Sequence, residues 1–145
     1  MRRIADLFTA DLFEAPLPAP AAAATMHYSR EVAHQVSALL AGSGQSRYQI
    51  AARMSELTGK DISKYMLDAY SAESREAYNL PLWEVPALEV ACGGHGLTAW
   101  LAAKRGARLL IGREALDAEL GKLERLRDEA SRKIKELKRV LEEDA

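Results

Sequence analysis

Apolar residues recur three and four positions apart through most of the segment 28–111, the period of helices lying on a core. Val32, Val36, Leu39 and Leu40 share one face of a first helix, which Ser29 is placed to cap and Ala41-Gly42-Ser43-Gly44 to end. Ser46 caps a second helix with Ile50, Met54 and Leu57 inward and with Ala51 and Ala52 small enough for close approach. Thr58-Gly59-Lys60 makes a turn, and Asp61 caps a third helix, 62–72, with Ile62, Tyr65, Met66, Ala69 and Tyr70 as inner residues. After a loop at 73–80, a fourth helix starts at Pro81 or at Pro86, both suited to a first turn, and runs to Cys92. Gly93-Gly94-His95-Gly96 reads as a hinge-like connector to a fifth helix, 97–110, with Leu97, Trp100, Leu101 and Leu109 inward. No stretch carries the pattern of a strand, so the expected fold class is all-α.

The flanks behave differently. Residues 1–27 read as a flexible tail in which PLPAPAAAAT (16–25), with three prolines and a run of alanines, is an extended linker. Ahead of it, Ile4, Leu7, Phe8 and Leu12 fit one helix face: either 1–14 is a peptide that enters a groove on a protein partner, or it is a frayed terminus. Residues 112–145 form a long charged helix. Leu116, Leu120, Leu123, Ala130, Ile134, Leu137 and Leu141 fall at alternating a and d heptad positions, and only Arg127 interrupts them. Such a seam calls for a helix partner, with packing back on the chain's own head as the alternative.

The charges beside the seam favour one orientation. A parallel pair would set Glu119 against Glu124 and Lys133 against Lys138, like charges both times. An antiparallel pair sets Asp117, Glu119 and Glu124 beside Lys133 and Lys138, and Arg127 opposite the small Ala130. Each favourable pair is worth about 0.3–0.5 kcal/mol. The expectation is an antiparallel homodimer centred between residues 128 and 129. At about 1.5 Å per residue its two Leu116 positions lie about 38 Å apart. Half-sites one DNA turn apart are separated by about 34–36 Å.

Composition narrows the function classes. With 145 residues, 48% hydrophobic and 28% charged, the chain suits one compact domain with appendages. No run of about 18 apolar residues exists to span a membrane. Asp6, Asp11 and Glu14 break up the start, so no secretory signal is expected. The single Cys92 excludes an internal disulfide and fits a reducing, cytoplasmic location. Net charge is −1, and residues 45–70 carry Arg47, Arg53, Lys60 and Lys64 against Glu56, Asp61 and Asp68, a surplus of one. Any affinity for phosphates therefore rests on few cations, and pairing of two copies would have to add to it.

Two short helices joined by a tight turn let the second lie in a DNA major groove while the first braces on the backbone. Residues 45–81 carry the required parts: Ala51 or Ala52 at the crossing, Gly59 in the turn, Ile62 and Tyr65 as anchors. SRYQIAARMSELTGKDISKYMLDAYSAES followed by NLPLWEVPALEVACGG makes 29–110 resemble the lambda-repressor-like helix-turn-helix domain of five helices, as found in regulators of temperate and transposable phages. The resemblance implies that Ser46, Arg47, Tyr48 and Gln49 open the brace helix and meet phosphates. It implies that Ser63, Lys64, Leu67 and Asp68 lie on the recognition helix, with Lys64 on guanine or phosphate and Leu67 on a thymine methyl. Arg75 falls in the following loop, placed for a backbone contact.

Chemistry of other kinds finds no support. His27, His34 and His95 stand apart from any cysteine or carboxylate at ligand spacing, so no metal or cofactor is expected. Gly93-Gly94-His95-Gly96 lacks the strand and the Lys-Ser/Thr pair of a phosphate loop. Cys92 reads as a buried filler, and Trp83 and Trp100 as core residues. No residue set supports an enzyme. The expected function is a dimeric, sequence-specific regulator of transcription bound to double-stranded DNA. The alternative is a protein-binding adaptor or antirepressor that uses 1–14 and the coiled coil.

Overall fold

The computed structural model describes residues 15–145; the apolar face expected within 1–14 lies outside the described residues. Six α-helices, one 3-10 turn and no strand make up the described chain, an all-α protein. The helices are α1 (Ser29–Gly42), α2 (Arg47–Thr58), α3 (Lys64–Tyr70), α4 (Val85–Cys92), α5 (Gly96–Lys104) and α6 (Arg113–Glu143), with the 3-10 turn at Leu82–Glu84. The chain divides into two units, the first ending at Leu109 and the second running from Leu110 to Ala145.

The core of the first unit draws on every element from α1 to α5. Val36 and Leu40 come from α1, Ile50, Ala51 and Met54 from α2, and Leu67 and Tyr70 from α3. Ile62 and Leu80 come from loops, Ala87, Leu88 and Ala91 from α4, and Leu97 from α5. Each large aliphatic side chain buried here contributes about 1.5–3 kcal/mol of hydrophobic free energy. Of the residues expected inward, Leu57, Tyr65, Trp83 and Leu101 are exposed, and Ala52, expected at a close helix approach, is exposed as well. Trp100 is half-buried, with its ring edge-on to Tyr28 at 5.6 Å and its indole N–H donating to Glu31 Oε2 at 3.1 Å.

Local signals set several boundaries. Ser46 begins α2 through a capping box: its Oγ accepts from Gln49 N at 3.2 Å, and Gln49 Oε1 accepts from Ser46 N at 2.9 Å. Gly59, left-handed at φ 67°, closes α2 by donating its N–H to Ser55 O. Other expectations shift. Ser29 does not cap α1 but belongs to it. Its buried side chain donates to Glu76 O at 2.9 Å while Asn79 Nδ2 donates to Ser29 O at 3.0 Å, which ties the 73–80 loop to the start of α1.

The Gly93-Gly94-His95-Gly96 connector is a packed corner rather than a hinge. A Cβ at Gly94 or Gly96 would lie 3.3 Å from Leu39. Glu89, nearly buried, reaches across the corner to accept from Thr98 N at 3.3 Å and from the Thr98 hydroxyl, so it caps α5 from a neighbouring helix.

Helix α5 stops at Lys104 instead of continuing to 110. Gly106 takes φ 71°, and two 6→1 and 5→2 type bonds, Ala107 N to Ala102 O (2.8 Å) and Gly106 N to Ala103 O (3.1 Å), satisfy its last carbonyls. A Cβ at Gly106 would lie 2.7 Å from Pro18. Pro18 bridges to Arg105, and Ala19 N donates to Lys104 O at 3.0 Å. That part of the expected tail is therefore pinned to the end of α5.

In the second unit, α6 is a 31-residue helix with no buried residue. Leu116, Leu120, Leu123, Ile134, Leu137 and Leu141 are all exposed, as are Ala130 and Arg127. Arg139–Glu143 forms an i,i+4 ion pair at 3.2 Å along its surface. No helix among the described residues is long and apolar enough to cross a membrane.

Candidate nucleic-acid interface

Helix α3 is shorter than its sequence suggests, and its phase is different. It begins at Lys64 rather than Ile62, and its cap is Ser63, whose Oγ accepts from Met66 N at 3.2 Å, rather than Asp61. Both residues can cap a helix; the apolar neighbours decide between them. With Ser63 at the cap, Ile62 immediately before it and Leu67 four residues into the helix both enter the core, the arrangement of a hydrophobic staple. With Asp61 at the cap, the corresponding pair would be Lys60 and Tyr65. Ser55 fixes the choice from α2: its Oγ accepts from Ile62 N at 2.9 Å.

This phase corrects one expected contact residue. Leu67 is 0% exposed and fills the core, so it has no access to a thymine methyl. Tyr65 turns outward instead, 72% exposed, and takes the solvent side that the sequence pattern had given to Leu67. The apolar spacing Ile62–Leu67 around Ser63 was the available signal.

Asp68 joins α3 to the start of α2. Arg47 Nη1 lies 2.6 Å from Asp68 Oδ1 and donates to Ser71 Oγ at 2.9 Å. Lys64 Nζ lies 2.6 Å from Asp68 Oδ2, one turn back along the same helix. The Lys64 bond, then that from Arg47, holds the Asp68 carboxyl below the ordinary carboxylate range, and the Asp68 bond raises the Lys64 ammonium above its ordinary value. Two cations share one carboxylate, leaving one net positive charge in the cluster.

Aromatic rings border this cluster. Lys64 Nζ stands 5.9 Å from the centroid of Tyr48 and 5.5 Å from that of Tyr65. Tyr48 is 63% exposed. Two phenols offer flat apolar faces and hydroxyls able to donate or accept, with the ammonium between them. Ser46, Gln49 and Ser63 are exposed beside them, although Ser46 Oγ, Gln49 Oε1 and Ser63 Oγ already serve as caps. The sequence-selected residues Ser46, Arg47, Tyr48, Gln49, Ser63, Lys64 and Asp68 thus fall on α2 and α3 around one ion cluster. Arg75 is exposed in the 71–80 loop, in turns closed by Arg75 N to Ala72 O and Tyr78 N to Arg75 O, both 3.0 Å.

Elsewhere in the first unit Glu84 is buried beside Tyr70, whose hydroxyl donates to Glu84 Oε1 at 3.5 Å, while Glu84 Oε2 has no partner among the described residues. Burial pushes Glu84 above the ordinary carboxylate range and Tyr70 up to about 12. Cys92 is half-buried against the core, and burial raises its thiol above the ordinary value, which leaves it a poor nucleophile. Among the described residues no group of three or more histidines, cysteines or carboxylates is gathered to hold a metal. No protein-family model matches the chain, and neither a curated protein nor a solved structure matches it significantly.

Proposed function

We propose that the first unit is a helix-turn-helix DNA-binding head of the lambda-repressor type and that α6 pairs two such heads on a two-fold operator, making the protein a transcriptional regulator of the kind temperate phages use. The observation that carries this reading is the solvent side of α3. The cap Ser63 and Tyr65 are exposed and Lys64 is half-buried beside them, on a helix whose other side, Leu67 and Tyr70, is buried in the core, and Asp68 ties that helix to Arg47 at the start of α2. In the proposed complex α3 enters the major groove. Lys64 reaches a guanine edge or a phosphate, Tyr65 meets a base or sugar face, and Arg47, Tyr48 and Arg75 contact the backbone.

The exposed heptad face of α6, Leu116 to Leu141, supports pairing, and its charge pattern supports the antiparallel sense. Titration of labelled genomic fragments at two salt concentrations tests the DNA reading. Affinity should fall steeply with salt, and Lys64→Ala should relax sequence preference. Absence of binding even at low salt would overturn it. For orientation, Leu116→Cys in a Cys92→Ser background should resist 116–116 disulfide formation; efficient cross-linking would mean a parallel pair.

The second reading, a protein-binding adaptor or antirepressor, draws on the near-neutral charge of the head and on Asp68, which neutralises part of the small cationic cluster. A protein that co-purifies with the chain while DNA does not bind would favour it.

A further inference from the structure

We propose that the apolar groove on the head is the docking site of the chain's own N-terminal segment, residues 1–14. The groove encloses about 420 Å³ and is lined chiefly by Val32, Leu80, Leu82, Val85, Trp100 and Leu101. Leu82 is 75% exposed and Leu101 is 48% exposed, so the groove presents apolar surface of the sort that marks an interaction site.

The occupant follows from where the described chain begins. Pro18 and Ala19 are fastened to Arg105 and Lys104, at the end of the helix that supplies Trp100 and Leu101. From Arg105 back to Leu101 is about 6 Å along a helix axis. Leu12 precedes Pro18 by six residues, a stretch that reaches about 20 Å when extended. The segment therefore starts beside the groove, at an effective concentration of about millimolar.

Its chemistry is complementary. Ile4, Leu7, Phe8 and Leu12 offer large apolar side chains at helical spacing for an apolar slot. Asp11 and Glu14, nearest the anchor, are acidic, and the anchor region carries exposed Arg105 and Arg108. The docking is independent of whether the head binds DNA.

Trp100 is the reporter. Trp83→Phe in the full chain leaves it as the single tryptophan, and it lines the groove. Acrylamide quenching without DNA is compared between this protein and the same protein carrying Leu7→Ser and Phe8→Ser. Loss of docking should red-shift Trp100 emission and roughly double its quenching constant as the indole loses its cover. Synthetic peptide 1–14 should restore the shielding saturably, and the shielding of the parent should survive roughly tenfold dilution, as an intramolecular contact must. Leu101→Lys, at an exposed position, should reproduce the double variant and make it insensitive to the peptide. Equal quenching in parent and double variant would overturn the proposal. Shielding that disappears on dilution would overturn it too, by assigning the groove to the segment of a second copy.

Discussion

Leu67 and Tyr65 stand two residues apart on α3 and should behave as opposites. Leu67 is completely buried, and its replacement by Ala deletes three carbons from the centre of the core. Substitutions of this kind cost about 2–5 kcal/mol, and a site in the same core as Val36, Ile50, Met54 and Leu88, all equally buried, points to about 3 kcal/mol. For a domain of this size each kcal/mol lowers Tm by about 4–8 °C, so Leu67→Ala should lower it by about 12–24 °C. Tyr65→Ala, at a position 72% exposed, should change stability by no more than about 0.5 kcal/mol. It should weaken duplex binding about fivefold to tenfold, the worth of one interfacial contact. Tryptophan fluorescence during urea and thermal unfolding is the appropriate assay, because Trp83 and Trp100 both lie in the head and α6 contains none. If Tyr65→Ala proved the more destabilising change, or if Leu67→Ala abolished DNA binding at full stability, the phase of α3 and the interface built on it would be refuted.

Other substitutions probe separate parts of the molecule. Asp68→Asn frees Arg47 and Lys64 from their shared carboxylate. Nonspecific duplex affinity should rise, with a log–log salt slope steeper by up to about one per head, as measured by anisotropy over a salt series. Glu84 keeps a proton in the folded state at pH values where the unfolded chain has released it, because burial raises its pKa. Stability should therefore fall as pH rises from the ordinary carboxylate range through the raised value, and stay low above it. Glu84→Gln, which can still accept from Tyr70, should flatten that slope and raise Tm at neutral pH but not in acid; an unchanged pH profile by calorimetry would exclude the effect. A chain ending at Ile111 should be monomeric by native mass spectrometry and should show about half the salt slope of the full protein, one head neutralising half the phosphates of two.

Local chemistry makes much of this architecture legible in the linear chain. Ser46 and Gln49 form a capping box within four residues, and Gly59 supplies the left-handed turn, so both ends of α2 follow from immediate neighbours. The heptads from Leu116 to Leu141 likewise define one long helix with an apolar seam, since periodicity needs nothing beyond the helix itself. The surface positions of Tyr48, Gln49 and Ser63 are readable for the same reason.

Three features needed the assembled core. Asp61 and Ser63 are equivalent as caps in isolation; only a core that accepts both Ile62 and Leu67, with Ser55 holding the intervening backbone, selects Ser63 and turns Tyr65 outward. Apolar character alone sends Trp83 inward, but the neighbouring positions that reach the core are Leu80, Ala87 and Leu88, and Trp83 remains exposed. Gly106 is a local stop signal for α5, but the fastening of that end by Pro18 and Ala19 joins residues far apart in sequence, which no local pattern encodes. The sequence determined that the chain is helical, with both ends of α2 and the long α6 readable from local pattern, and what chemistry those helices carry. Tertiary packing decided which way α3 faces, because burial is shared among residues that only folding brings together.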